Sequence, residues 1–116
     1  YISEVRAKDA QNTLQSIAME QKSYFSKHFC FYVTGTGDNA ASINTGLFGS
    51  ELGADGPIPI TNNQYSFEIT GSSSGTCSGT NAVTFSAKAT HKTDDTKIFS
   101  ITDTLKKTDE YFKRGF

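Results

Sequence analysis

The chain contains the residue types needed for nucleophilic catalysis, but without a recognisable arrangement. Cys30 stands two positions after His28, and serines together with His91 and Asp94 or Asp95 supply the types of a hydrolytic triad. A nucleophile needs its base within hydrogen-bonding distance, which closeness in sequence does not provide. The residues around Cys30 match no known nucleophile motif. The sequence therefore predicts no catalytic residues, and a protein that is not an enzyme.

Metal ligands are equally scattered along the chain. The two His and two Cys lack zinc-site spacing, and neither a calcium-loop motif nor a glycine-rich phosphate motif is present. Asp94 and Asp95 are adjacent carboxylates that would suit calcium, although a solvated turn is the commoner reason for such a pair. We expect no metal site and no cofactor.

Cys30 and Cys77 are 47 positions apart and form no Cys-x-x-Cys motif. A disulfide between them would close a long loop, and the chain-entropy model assigns it roughly 4 kcal/mol of stabilisation. The alternative is two unrelated buried thiols in a cytosolic protein, which the cysteine count alone leaves open. We predict the disulfide.

A basic and aromatic cluster near the end of the chain has the composition of a surface for single-stranded nucleic acid. Its members are Lys106, Lys107, Lys113 and Arg114, with Tyr111, Phe112 and Phe116 interleaved. Asp109 and Glu110 dilute its charge, and the net charge of the whole chain is only -1. The alternative is a charged edge strand that blocks unwanted pairing. The four basic residues are the candidates for contact with DNA or with a surface.

The elements that must position these residues belong to one domain, because 116 residues suit a single core. Residues 2–29 contain no Gly or Pro, and their apolar positions recur at three and four, which predicts a long amphipathic helix. Its apolar stripe is Ala7, Ala10, Leu14, Ile17, Ala18, Gln21, Tyr24 and Phe25, and its polar face is Glu4, Lys8, Gln11, Gln15 and Lys22. No apolar run approaches the roughly 18 residues of a membrane helix.

The rest of the chain divides into a loop and a sheet. Residues 34–63 are rich in Gly, which predicts a long loop packed on the core, with one helical turn near Leu47. Residues 64–116 contain segments with period-two alternation, beginning at Tyr65, Val83 and Phe99, which predict half-buried antiparallel strands. The last segment, from Leu105, is either a fourth strand or a tail.

The predicted fold class is therefore α+β, a long N-terminal amphipathic helix packed on a three- to four-stranded antiparallel sheet. Six residues are expected to hold the helix to the sheet: Leu14, Ile17, Tyr24, Phe67, Phe85 and Ile101. The helix would be about 42 Å long at 1.5 Å per residue, more than a domain of this size needs. We expect its start to protrude. Since the chain begins with Tyr1 and not Met, we also expect that a preceding segment has been removed.

This order of elements, with two widely spaced cysteines, resembles the type IV pilin family. The stretch Tyr1-Ile-Ser-Glu-Val-Arg-Ala-Lys-Asp-Ala-Gln-Asn-Thr-Leu is similar to the part of pilins that follows their membrane segment. The stretch Met19-Glu-Gln-Lys-Ser-Tyr-Phe is similar to the end of the pilin helix. The resemblance covers the whole chain in architecture and residues 1–29 in pattern. Cys30 departs from it, because many pilins place both cysteines toward the C-terminus.

The resemblance implies a structural subunit of a bacterial type IV pilus filament. Its partners would be further copies or other pilins, the inner-membrane assembly machinery, and the inner membrane itself through a preceding apolar helix. Ile2 and Val5 would face the filament, and the cysteines would be periplasmic before assembly and extracellular after it. Two alternatives remain within the family: a minor pilin that binds DNA or a surface, and a type II secretion pseudopilin with calcium in its sheet loops.

Overall fold

The computed structural model describes residues 2–49, 58, 64–93, 97–103 and 107–109, and for residues 2–6 and 107–109 it describes the backbone only. The helices are α1 (Ile2–His28) and α2 (Ala40–Gly46). The strands are β1 (Phe31–Tyr32), β2 (Tyr65–Thr70), β3 (Asn81–Ala82), β4 (Ser86–His91), β5 (Ile98–Thr102) and β6 (Lys107–Asp109). The predicted α+β class, a long N-terminal helix with antiparallel sheet, is confirmed.

The larger sheet is an antiparallel meander in the order β2-β4-β5-β6, where β6 is a short strand at one edge. Its buried face contains Tyr65 and two cross-strand rows, Phe67–Ala89–Phe99 and Ile69–Ala87–Ile101. Only alanines occupy the central strand in these rows. Helix α1 packs over β4 and β5, and the small alanine side chains allow a close approach.

The inner face of α1 follows the predicted stripe over most of its length. Ala7, Leu14 and Ile17 are fully buried, and Gln21 is buried with them. Two assignments were wrong. Gln11, predicted on the polar face, is buried, and Phe25, predicted in the apolar stripe, is 38% exposed, although its ring packs against Phe31. No helix in the described part of the chain is long and apolar enough to span a membrane.

The predicted strand beginning at Val83 was wrong at its start. The chain first forms β3, which pairs with β1 in a separate two-stranded sheet, and then bends before β4 begins at Ser86. The Val83 N–H donates to the Ser72 carbonyl within this bend, and the Val83 side chain is 41% exposed. Val83 therefore lies where the chain passes from one sheet to the other, outside the alternation of β4. Phe85 is nevertheless buried.

The Gly-rich segment is packed on the core where it is described. Ile43, Leu47 and Ile58 are buried, and α2 ends one residue before Leu47, where a helical turn was predicted. The glycine at the end of α2 has a packing reason, because a Cβ at Gly46 would overlap the ring of Tyr32. Leu52 and Ile60, also predicted to pack down, lie outside the described residues.

Two fully buried amide side chains attach β1 and the Gly-rich segment to the helices. The Gln21 amide donates to the Tyr32 carbonyl (2.6 Å) and accepts from the Tyr32 N–H (2.8 Å). The Asn44 amide likewise donates to the Ile58 carbonyl (2.8 Å) and accepts from the Ile58 N–H (2.9 Å). Each amide thus supplies both hydrogen bonds that a neighbouring strand would make. Within the described residues, every buried side-chain N or O atom has a partner.

Replacing Gln21 by Ala is expected to lower the free energy of unfolding by about 3 kcal/mol, because a buried N–H and a buried C=O lose their partners. The matched control is Gln15→Ala on the same helix, where the side chain is half-buried and a change within about 0.5 kcal/mol is expected. Denaturant unfolding of both variants measures the difference. Equal losses of unfolding free energy in the two variants would contradict a stabilising role of the two Gln21 hydrogen bonds.

Candidate functional site

The predicted disulfide between Cys30 and Cys77 is confirmed. Both cysteines are buried, and their Cα atoms are 5.7 Å apart. The alternative of two unrelated thiols is therefore wrong, and Cys30 carries no thiol that His28 could activate. The His28 ring instead packs against Tyr24, with ring centroids 4.2 Å apart. The bond fixes Cys30, the second residue after α1, to the Ser-, Thr- and Gly-rich loop around Cys77.

The basic candidates for DNA or surface contact fall mostly outside the described residues. This is so for Lys106, Lys113 and Arg114, and for the adjacent carboxylates Asp94 and Asp95. The Lys107 backbone is in β6, opposite Ile101 in the register, and its side chain is not among those described. The described residues contain no group of three or more His, Cys, Asp or Glu side chains placed to hold a metal ion.

The six residues expected between helix and sheet lie in one core. Leu14, Ile17, Phe67, Phe85 and Ile101 belong to the main buried cluster, and Tyr24 packs against it half-buried.

Tyr24 and Tyr32 connect the helix end to β1, β3 and α2. The Tyr24 hydroxyl donates to Asn81 Oδ1 at 2.7 Å, and the Tyr32 hydroxyl donates to the Ser42 carbonyl at 3.1 Å. Burial raises the pKa of Tyr24 above its usual value. Burial and the neighbouring Tyr24 raise the pKa of Tyr32 in the same direction. Both phenols therefore stay protonated at neutral pH and act as structural donors.

Two exposed surfaces are candidates for contact with a partner. The first, the outer helix face, consists of Asp9, Asn12, Ser16, Met19 and Ser23, which are all exposed. These positions repeat at three and four and lie opposite the buried stripe. Met19 is 72% exposed and lies between Ser16 and Ser23 in this row.

The second surface, the helix-end aromatic surface, consists of Phe25, Phe29, Phe31 and Val83. The rings of Phe25 and Phe31 are 4.8 Å apart, and a further ring contact of 5.0 Å joins Phe31 to the buried Phe85. Val83 follows Ala82, which is opposite Phe31 in the β1–β3 register. Phe29 is 75% exposed. A large apolar side chain with this exposure gains almost nothing from burial.

The backbone at Phe29 is as unusual as its exposure. Its φ is +58°, and no other non-glycine residue in the described part of the chain has a positive φ. The Phe29 N–H donates to the Phe25 carbonyl at 2.7 Å, which is the left-handed helix cap that Gly normally occupies. A bulky residue in this conformation is strained. Strain of this kind is concentrated at functional sites.

Two lysines, Lys22 and Lys27, belong to the last turns of α1. Lys22 and Lys27 are exposed, and Lys22 lies one helical turn before Phe25. The described segments 22–37 and 69–87 contain no Asp or Glu, although the Glu68 carboxylate accepts a hydrogen bond from the Gly37 N–H at 3.4 Å. Glu20 projects from a different side of α1 than Lys22, since two residues correspond to about 200° of rotation, but it lies on the same side as Lys27, which follows it by about two turns.

Sequence reasoning placed Phe29 at the end of the helix and Phe25 in the buried stripe, and so missed this surface. One signal was available: a helix that ends in Lys27 and His28 is followed by Phe where Gly is typical.

Replacing Phe29 by Gly is expected to make the protein about 1 kcal/mol more stable than the Phe29→Ala variant, because only Gly adopts the left-handed cap without strain. Both variants remove the ring, so their difference isolates the backbone term. Thermal unfolding measures it. A Phe29→Gly protein less stable than Phe29→Ala would contradict the observed conformation.

Comparison of the chain with models of known protein families, with characterised proteins and with solved structures finds no match in any of the three. A functional assignment therefore rests on the residues and geometry of this chain.

Proposed function

We propose that the chain is the globular part of a type IV pilin-like filament subunit that assembles through α1. The proposal is supported by the order of elements, one long helix followed by a packed loop and an antiparallel meander. It is also supported by the similarity of residues 1–29 to the corresponding part of pilins.

The length of α1 is the main observation that supports the proposal. Its 27 residues span about 40 Å at 1.5 Å per residue, close to the longest dimension of the molecule, 44 Å. The six-residue strands β2 and β4 extend only about 20 Å. Helix α1 is therefore about twice as long as the strands on which it packs. A filament core made of bundled helices needs helices that are longer than the sheet of their own subunit.

The outer helix face gives α1 a second side for contact. Its short polar side chains, such as Ser16 and Ser23, would allow a neighbouring helix to approach within the usual 8–10 Å between axes. Met19 is a flexible apolar side chain that adapts to irregular partner surfaces. The side chains of Ile2 and Val5 lie outside the described residues, and their position toward the filament remains a prediction.

The disulfide is consistent with the proposed location. Bonds of this kind persist in the periplasm and outside the cell and are rare in the cytosol. The proposed partners are further copies or other pilins in the filament and the inner-membrane assembly machinery. The proposed location is the inner membrane before assembly, through an apolar helix that would precede the chain, and the pilus afterwards.

A charged side chain on the outer helix face should block assembly and leave the domain folded. We expect Met19→Arg, introduced into the full-length gene in its own host, to remove the subunit from the sheared filament fraction detected by immunoblot. Circular dichroism and the melting temperature of the purified domain should not change, because Met19 is 72% exposed.

The matched control is Thr93→Arg, which introduces the same side chain at an exposed residue away from the helix. This variant should enter filaments like the wild type. Normal incorporation of Met19→Arg would contradict packing through the outer helix face. If the wild-type protein were absent from every sheared filament fraction, the proposal that the chain is a filament subunit would be contradicted.

A further inference from the structure

We propose that Met19 is the site at which hydroperoxides modify this chain, and that its sulfoxide prevents the outer helix face from packing in a filament. The inference rests on the proposed filament function and adds a regulation of the same surface. The modification itself is separate from that function, because it can be measured on the isolated domain.

Met19 carries the accessible sulfur atom of the chain. The chain contains one Met and two Cys. Cys30 and Cys77 are bonded to each other and are only 2% and 4% exposed, so neither offers a thiolate to an oxidant. The Met19 side chain is 72% exposed. Reaction with a hydroperoxide is therefore directed to its thioether.

The reaction transfers one oxygen atom to the Met19 sulfur. The sulfur lone pair attacks the terminal oxygen of the hydroperoxide, an S–O bond forms, and the O–O bond breaks. The thioether is oxidised to a sulfoxide, and the hydroperoxide is reduced to water or an alcohol. The proton of the transferred oxygen moves to the departing oxygen. The hydroperoxide is the only co-reactant.

The sulfoxide is unfavourable in a close contact between helices. The thioether is apolar and only a weak acceptor, whereas the sulfoxide is polar. Packing against a neighbouring helix removes water from the new oxygen, which costs free energy unless a donor replaces that water. Ser16, one turn before Met19, already donates its hydroxyl to the Asn12 carbonyl at 3.2 Å. The oxidised face therefore packs less well than the reduced one.

The modification acts on the subunit before assembly. The exposure of 72% belongs to the isolated domain, and contact with the helix of a neighbouring copy would cover Met19. The thioether of an assembled subunit is then shielded from the oxidant. Peroxide would therefore stop the addition of new subunits and leave existing filaments intact. This difference distinguishes a regulatory site from any other exposed methionine.

Mass spectrometry tests the site and its shielding. We expect brief treatment of the purified domain with hydrogen peroxide to add one oxygen, about 16 Da, to the peptide that contains Met19. The melting temperature should not change, because the side chain is exposed. In sheared filaments the same residue should react on the order of tenfold more slowly, because a packed interface excludes solvent. Equal rates in the two forms would overturn the proposal.

Incorporation into filaments tests the consequence in the native host. Each strain is compared with its own untreated culture, after sublethal hydrogen peroxide, by the ratio of sheared to total subunit. We expect the wild-type ratio to fall by at least about fivefold, the effect of burying one unpaired polar group. The ratio should not fall for Met19→Leu, which has no thioether. Combining Met19→Leu with Thr93→Met returns a thioether at an exposed residue away from the helix, and this ratio should not fall either.

Two results would overturn the regulation while leaving the filament function intact: an equal fall in wild type and Met19→Leu, or normal incorporation of wild-type subunits whose Met19 is oxidised. If wild-type subunits were absent from untreated filaments, the filament function would be contradicted and the regulation with it. Oxidation of the isolated domain elsewhere than at Met19 would overturn the site whatever the filament result.

Discussion

The reversal of the chain after α1 is the constraint on which the later elements depend. Phe29 adopts the left-handed cap, Cys30 is bonded to Cys77, and the backbone of Tyr32 is held on both sides by Gln21. Three restraints thus act within four residues. They set where β1 lies, and β1 provides the partner for β3.

Tyr32 transmits this constraint to the Gly-rich segment. Its ring occupies the space beside Gly46, and its hydroxyl donates to the Ser42 carbonyl, so α2 is fixed against β1. Asn44 on the inner side of α2 then holds Ile58 through both backbone groups. Two buried amides, Gln21 through Tyr32 and Asn44 directly, therefore fix the described part of this segment. Buried polar groups of this kind favour one arrangement because any other would leave them unpaired.

Sequence patterns predicted the elements whose burial is periodic. Alternation in β2 and β5 and the three-four spacing from Ala7 to Gln21 follow directly from packing against one core. The prediction of a strand beginning at Val83 was wrong because the alternation of apolar and polar residues continues across the bend between β3 and β4. The pairing of β3 with β1 joins residues far apart in the chain, so neighbouring residues do not reveal it. The assignment of Gln11 to the polar face of α1 was wrong because it relied on the polar type of the residue. The helix-end aromatic surface was missed because large aromatic residues are expected to be buried.

Native-state hydrogen exchange at the amides of Tyr32 and Ile58 is the most direct test of this account. Both amides lie outside the larger sheet, and both donate to buried side-chain oxygens, Gln21 Oε1 at 2.8 Å and Asn44 Oδ1 at 2.9 Å. If the two amide side chains hold the fold together, both N–H groups should exchange as slowly as those of the central strand β4. Exchange at the rate of an unstructured peptide would contradict it.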